Sequence, residues 1–213
     1  MQWFHELSFN HIHYTSSQSN FFMKKILLLL ADGFEIYEAS VFIDVMGWNL
    51  REGDGSTELF TCALRKEIKS SFNQRFIVDY VASEVDIDTF EALAIPGGFE
   101  VYGFYNDAYH EEFLELIRGF KTRNKLIASI CVGALPVAKS GLLKGKNATT
   151  YNSEVRRTAL KEFGANVLHQ PVVMDDDIIT SWNPSTAIDV ALLLLELLTT
   201  KSNSGKVREL MGF

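Results

Sequence analysis

The chain has 213 residues, 47% of them apolar, which is enough for one substantial hydrophobic core and argues against two large ones. A formal charge of −7 and a pI near 5.3 argue against nucleic acid or anionic membrane as the main partner and favour a small molecule. Two cysteines, Cys62 and Cys131, supply neither a disulfide framework nor a CxxC site, which fits a reducing, cytoplasmic compartment.

Residues 1–22 are polar and aromatic without a regular period, and they read as an extension outside a single domain spanning 23–213. His11 and His13 within that extension are too few ligands for a closed metal site, so no metal is expected, and no cofactor. The stretch from Met23 has a positive start, but its apolar run lasts only from Ile26 to Ala31 before Asp32 interrupts it. That run is too short to span a bilayer and no small-residue cleavage pattern follows, so 24–31 reads as a buried strand.

Short apolar runs then alternate with helical patterns, as in a βαβ chain that builds a parallel sheet. A helix is expected over 36–50, a strand over 58–64, and a hairpin-like excursion over 66–71 and 75–80. A buried strand over 90–98 ends in a turn and is followed by a helix over 109–123, a second buried strand over 126–130 and a helix over 133–140. Beyond these come a short strand (148–151), a helix (153–163) closed by Gly164, and one or two strands around Asp175 to Asp177. A helix over 185–200 and a short one over 205–213 end the chain.

In such sheets ligands bind beyond the carboxyl ends of the strands, which directs attention to four turns: DGFEIYE (32–38), PGGFEVYGF (96–104), ICVGA (130–134) and SWNPST (181–186). Cys131 follows a buried strand and precedes Gly133, Ala134 and a helix, the context of a nucleophile elbow. A helix N-terminus below the sulfur is expected to favour thiolate. A core cysteine in an apolar strand fits the same spacing, so the local pattern leaves both readings open. Gly97 and Gly98 offer backbone N–H groups with no side chains in front of them, and with the N–H of Val132 they are candidates for an oxyanion hole. Glu35 and Glu38 place carboxyl groups just after the first strand, as general base or as a protonated donor to a thiolate. Candidate lining residues, chosen because they follow strand ends, are Gly97, Phe99, Tyr102, Tyr151, Trp182 and Asn183. Cys62, inside a strand, reads as core.

Taken together, LLADGFEIYEASVFIDVM, ALAIPGGF, IASICVGALPVAKSGLLKGKNATTY and IITSWNPSTAIDVALLLLELL resemble, in order and spacing, the signature blocks of the DJ-1/PfpI (ThiJ/PfpI) superfamily. The resemblance covers residues 23 to 200 and implies a flavodoxin-like α/β three-layer sandwich, a mainly parallel central sheet with helices on both faces. It further implies a homodimer and an oxidation-sensitive elbow cysteine. Residue by residue, Cys131 falls on that cysteine, Glu38 on the glutamate that hydrogen-bonds it, and Gly98 and Val132 on the oxyanion-hole positions, with Glu35 as an exposed neighbour. Two departures matter. The protease-like branch has histidine after the cysteine, where this chain has Val132, and another branch has histidine where this chain has Tyr151. The remaining histidines of the domain, His110 and His169, match no family catalytic position, so a Cys–His dyad is not expected.

The chemistry the resemblance implies is addition of a thiolate to a small electrophilic carbon, with glyoxalase-like or deglycase-like action on reactive carbonyls in stress protection as the leading expectation. The alternatives are a redox sensor working through oxidation of Cys131, an amidase or peptidase-like hydrolase, and an isocyanide hydratase.

Overall fold

The computed structural model describes residues 22–213; His11, His13 and all but the last residue of the expected extension lie outside them. In chain order, β1 (Lys24–Leu29) leads into α1 (Ile36–Glu52), and β2 (Thr57–Ala63) into a hairpin of β3 (Glu67–Lys69) and β4 (Arg75–Ile77), then β5 (Tyr80–Val81). The middle of the chain forms β6 (Ala92–Ile95), α2 (Phe104–Ala108), α3 (Glu111–Thr122), β7 (Leu126–Ser129) and α4 (Ala134–Lys139). The last third forms β8 (Asn147–Ala148), α5 (Glu154–Glu162), β9 (Asn166–Val167), β10 (Val172–Asp175), β11 (Ile178–Ser181), α6 (Ala187–Leu198) and α7 (Lys201–Met211).

Seven strands make one sheet in the order β10-β11-β7-β6-β1-β2-β5, parallel throughout except for the β10–β11 pair. Helices α1, α6 and α7 pack together on one face, and α2, α3, α4 and α5 on the other. Because both faces are covered, the central strands carry unbroken apolar runs: Ile26 to Leu29 and Ala92 to Ile95 have 0% exposure. Ser129, equally buried at the end of β7, satisfies its hydroxyl by donating to the Ile179 carbonyl at 3.1 Å. From β1 the chain runs one way to β2 and β5 and returns on the other side to β6, β7 and β11. The crevice at the carboxyl ends of β1 and β6, where the direction reverses, is therefore the natural ligand site.

Most element boundaries fall within two residues of the expected ones, and the exceptions have local causes. The strand expected over 148–151 shrinks to β8, paired only with β9; beyond it the Thr149 N–H is diverted to Thr180 Oγ1 at 2.9 Å, and the Thr150 hydroxyl donates to the Cys131 carbonyl at 3.0 Å. The helix expected over 185–200 begins as a single 3-10 turn, Pro184–Thr186, before α6. The terminal helix starts four residues earlier than expected, since Thr200 caps it by accepting the Asn203 N–H at 3.1 Å. Helix α2, only five residues long, was not expected.

Candidate active site

Two loops meet above the ends of β1 and β6. Gly97 and Gly33 accept from the N–H groups of Glu35 (2.8 Å) and Phe99 (2.9 Å), which laces DGFE to PGGF. The first loop is anchored from behind by Arg65, which pairs with Asp32 and with Asp107 (3.0 Å), while Asp107 also takes the Asp32 N–H at 2.8 Å. Glu35 then caps α1, its carboxylate accepting from the Tyr37 N–H and the Ser71 hydroxyl, each at 3.4 Å. One turn of helix start later, Glu38 points into the molecule and is fully buried.

The third loop is the elbow. Cys131 has φ of +58°, a left-handed conformation that costs a residue with a side chain roughly 1–2 kcal/mol. The turn 131–133 connects an extended Ile130 to α4, and it is clamped where the Cys131 carbonyl accepts from Thr150. Gly133 makes the turn possible: a Cβ there would lie 2.7 Å from the Ile95 carbonyl oxygen and 2.8 Å from that of Pro96. The backbone strain and the small neighbours together hold the Cys131 side chain at the crevice, 8% exposed, rather than in the sheet core. Cys62 contrasts with it: at 0% exposure inside β2, its thiol is pushed up to about 12 by burial.

Cys131 and Glu38 converge on Gly97. A Cβ at that position would stand 2.8 Å from Cys131 Cβ, 2.9 Å from Glu38 Oε2 and 3.0 Å from the Val132 nitrogen, so only glycine fits between them. The Gly97 N–H donates to Glu38 Oε2 at 2.6 Å. Burial overrides this bond and raises the Glu38 carboxyl to about 8, so that it holds its proton at neutral pH. Burial also raises the Cys131 thiol, and a charged Glu38 raises it further, while the Val132 N–H pulls it down. The expected depression of the thiol by a helix end is therefore not what the structure shows: α4 has only six residues, and desolvation outweighs it. A neutral Glu38 removes the repulsion and turns the carboxyl into a donor toward sulfur. The pair titrates as a unit rather than as two independent groups. Glu38 Oε1 is buried and makes no hydrogen bond among the described residues.

These groups open into a cavity of about 340 Å³ lined by Glu35, Glu38, Gly98, Phe99, Glu100, Cys131, Val132, Tyr151, Arg156, Asn183 and Pro184. Of the residues expected to line it, Phe99, Tyr151 and Asn183 do. Gly97 does not, because it lies beneath the Cys131 and Glu38 side chains with its N–H already spent on Glu38; Gly98 and Val132 remain as the oxyanion-hole candidates. Trp182 is also absent from the lining: it faces the exposed His169 ring at 5.8 Å. Tyr102 packs on Phe72 and Phe99 instead. His110 caps α3, accepting the Glu112 N–H at 3.4 Å. Sequence reasoning missed Glu100, Arg156 and Pro184. Glu100, two residues past PGG, and Pro184, in SWNPST, lay within turns already singled out. Arg156 sits in the first turn of α5 among other charged residues and carried no signal.

Comparison with known proteins gives the family and the fold. The family model described as "DJ-1/PfpI family" matches residues 24–197. The chain belongs to the DJ-1/PfpI family. Among its relatives, Protein dj-1beta of Drosophila melanogaster is 30% identical over 188 residues, covering 87% of this chain and 94% of that one. The crystal structure of Drosophila DJ-1beta superposes with a TM-score of 0.78 at 26% identity, over 89% of this chain and 97% of that one. Protein DJ-1 homolog B of Arabidopsis thaliana is 28% identical over 185 residues, 86% of this chain, which spans only 40% of that relative's length. A structure titled "Toxoplasma gondii DJ-1, oxidized" matches with a TM-score of 0.73 at 25% identity, over 88% of this chain and 97% of that one. The flavodoxin-like arrangement implied by the sequence is thus the observed one. Among the described residues, no helix is long and apolar enough to cross a membrane.

Proposed function

We propose that this DJ-1/PfpI protein is a cysteine-dependent enzyme acting on small reactive carbonyls, converting a 2-oxoaldehyde such as methylglyoxal to its 2-hydroxy acid. The observation that carries this reading is the juxtaposition of Cys131, on a left-handed elbow, with a buried and protonated Glu38, both facing one cavity. In the reactive form the pair holds a single proton. The sulfur adds to the aldehyde carbon, forming an S–C bond while the carbonyl π electrons move to oxygen; the N–H groups of Gly98 and Val132 stabilise that oxygen until the pair's proton reaches it. Glu38, now a carboxylate, takes the hydrogen of the hemithioacetal carbon as a proton and returns it to the neighbouring carbon. The first carbon is thereby oxidised to a thioester and the second reduced to an alcohol, with no outside redox partner. Water hydrolyses the thioester, releasing the hydroxy acid and the thiol.

The test is lactate formation from methylglyoxal by the wild type, Cys131→Ser and Glu38→Gln. Turnover by the wild type and its loss in both variants supports the reading; no turnover in the wild type sinks it.

A second reading has its own support: a nearly buried thiol next to a protonated carboxyl is a site where a sulfinate would be held by a hydrogen bond, and a structural neighbour is titled as oxidised. Selective peroxide oxidation at Cys131, in a protein that does not consume methylglyoxal, would favour sensing.

A further inference from the structure

Among the described residues, Arg156 is the only basic side chain lining the cavity that holds Cys131. We infer that its guanidinium is a carboxylate-binding subsite, and that the preferred substrate is a reactive carbonyl bearing a carboxylate, a carboxylated 2-oxoaldehyde rather than methylglyoxal itself. This deepens the carbonyl reading above and rests on Cys131 as the reacting atom.

The side chain is held in place before any ligand arrives. Glu100 accepts from Nη2 at 2.9 Å, and the guanidinium carbon lies 5.2 Å from the centre of the Tyr105 ring. Tyr105 is in turn wedged between Phe104, with ring centres 5.2 Å apart, and Tyr109, at 4.8 Å. Nη2 to Glu100 is the only side-chain hydrogen bond Arg156 makes among the described residues, so most of its five N–H donors are unspent. A planar fork with free donors suits a carboxylate, which it can grip through two parallel bonds. The Tyr105 hydroxyl, buried and without a partner among the described residues, is a further unspent donor in the ring stack that carries the guanidinium.

Of the acidic groups in the cavity, Glu38 is held protonated by burial, and Glu35 is a charged carboxylate held at the start of α1 by Tyr37 and Ser71. Glu100 competes directly for the guanidinium, but its side chain is 66% exposed, so an incoming carboxylate displaces it into water rather than into the protein. The cavity, at about 340 Å³, has room for a chain several carbons longer than methylglyoxal.

The test uses two alkylating reagents that share a leaving group and differ only in charge, iodoacetate and iodoacetamide, with the rate at Cys131 read by peptide mass spectrometry. Arg156→Leu is expected to lower the iodoacetate to iodoacetamide rate ratio about tenfold, as loss of a charge-assisted bond to the reagent's carboxylate should. Glu100→Gln, which removes the competitor, is expected to raise the ratio several-fold; a residue that merely supported the fold would not produce that rise. An unchanged ratio in Arg156→Leu overturns the proposal. If Arg156→Leu also alters the iodoacetamide rate, showing a disturbed site, Glu100→Gln decides alone, and a ratio that fails to rise overturns it. Labelling of Cys131 by neither reagent removes the premise and the proposal with it. The expected ratios without any turnover of a 2-oxoaldehyde would defeat the carbonyl reading while leaving the subsite in place.

Discussion

The Gly97 N–H donates to Glu38 Oε2 at 2.6 Å, and that bond decides the division of labour in the site. It spends one of the two glycine N–H groups of the PGG turn on orienting the carboxyl, which leaves Gly98 and Val132 as the proposed donors to a developing oxyanion. The other oxygen, Oε1, is buried and has no hydrogen-bond partner among the described residues.

Gly97 is consequently the least replaceable residue of the constellation. Gly97→Ala forces a methyl group to within 2.8 Å of Cys131 Cβ and 2.9 Å of Glu38 Oε2. Overpacking of this kind costs roughly 1–3 kcal/mol, and displacing the two groups should reduce turnover by about a hundredfold. Thermal unfolding and steady-state kinetics on the same sample check both.

Glu38 should leave a mark on stability as a function of pH. Its carboxyl is raised from an ordinary 4.5 to about 8, so the folded state holds a proton that the unfolded state releases across that window. The stability associated with the protonated form is complete below 4.5 and is lost as pH rises through 8, amounting to a few kcal/mol. Denaturant unfolding at several pH values should show this decline in the wild type and a flatter profile in Glu38→Gln.

The same variant separates nucleophilicity from proton transfer. Glutamine can still donate a hydrogen bond to sulfur but cannot carry a proton between carbons. Iodoacetamide labelling of Cys131 should stay within about tenfold of wild type, whereas methylglyoxal turnover should fall by roughly 10²–10⁴-fold. Equal losses in both assays would mean that Glu38 only positions the thiol.

The elbow itself predicts an inverted stability order. At most positions glycine is less stable than alanine by about 0.5–1 kcal/mol, but at φ of +58° alanine carries the left-handed penalty and glycine does not. Cys131→Gly should therefore match or exceed Cys131→Ala in melting temperature, and a clearly lower value would show that the conformation stores no strain.

How much of this was legible in the sequence follows from what kind of signal each residue carries. The buried strands β1, β6 and β7 announce themselves as unbroken apolar runs, and Cys131 and Glu38 sit beside turn residues at family spacing. Arg156 was not legible: it reaches the cavity only because α5 packs where it does and Glu100 lies opposite, a pairing 56 residues apart in sequence. Trp182 misled for the complementary reason. It follows a strand end as a lining residue would, yet its ring turned toward His169, an orientation that no local pattern encodes. The suppressed helix-end effect on Cys131 was likewise invisible, since it depends on how completely the site is desolvated.

The most direct test of the account is where a limiting dose of methylglyoxal reacts in the native protein. Intact-protein and peptide mass spectrometry, after rapid denaturing quench, should find the hemithioacetal or acyl adduct on Cys131, with Cys62 unmodified in the core. Adducts spread over lysines and arginines with Cys131 untouched would contradict it.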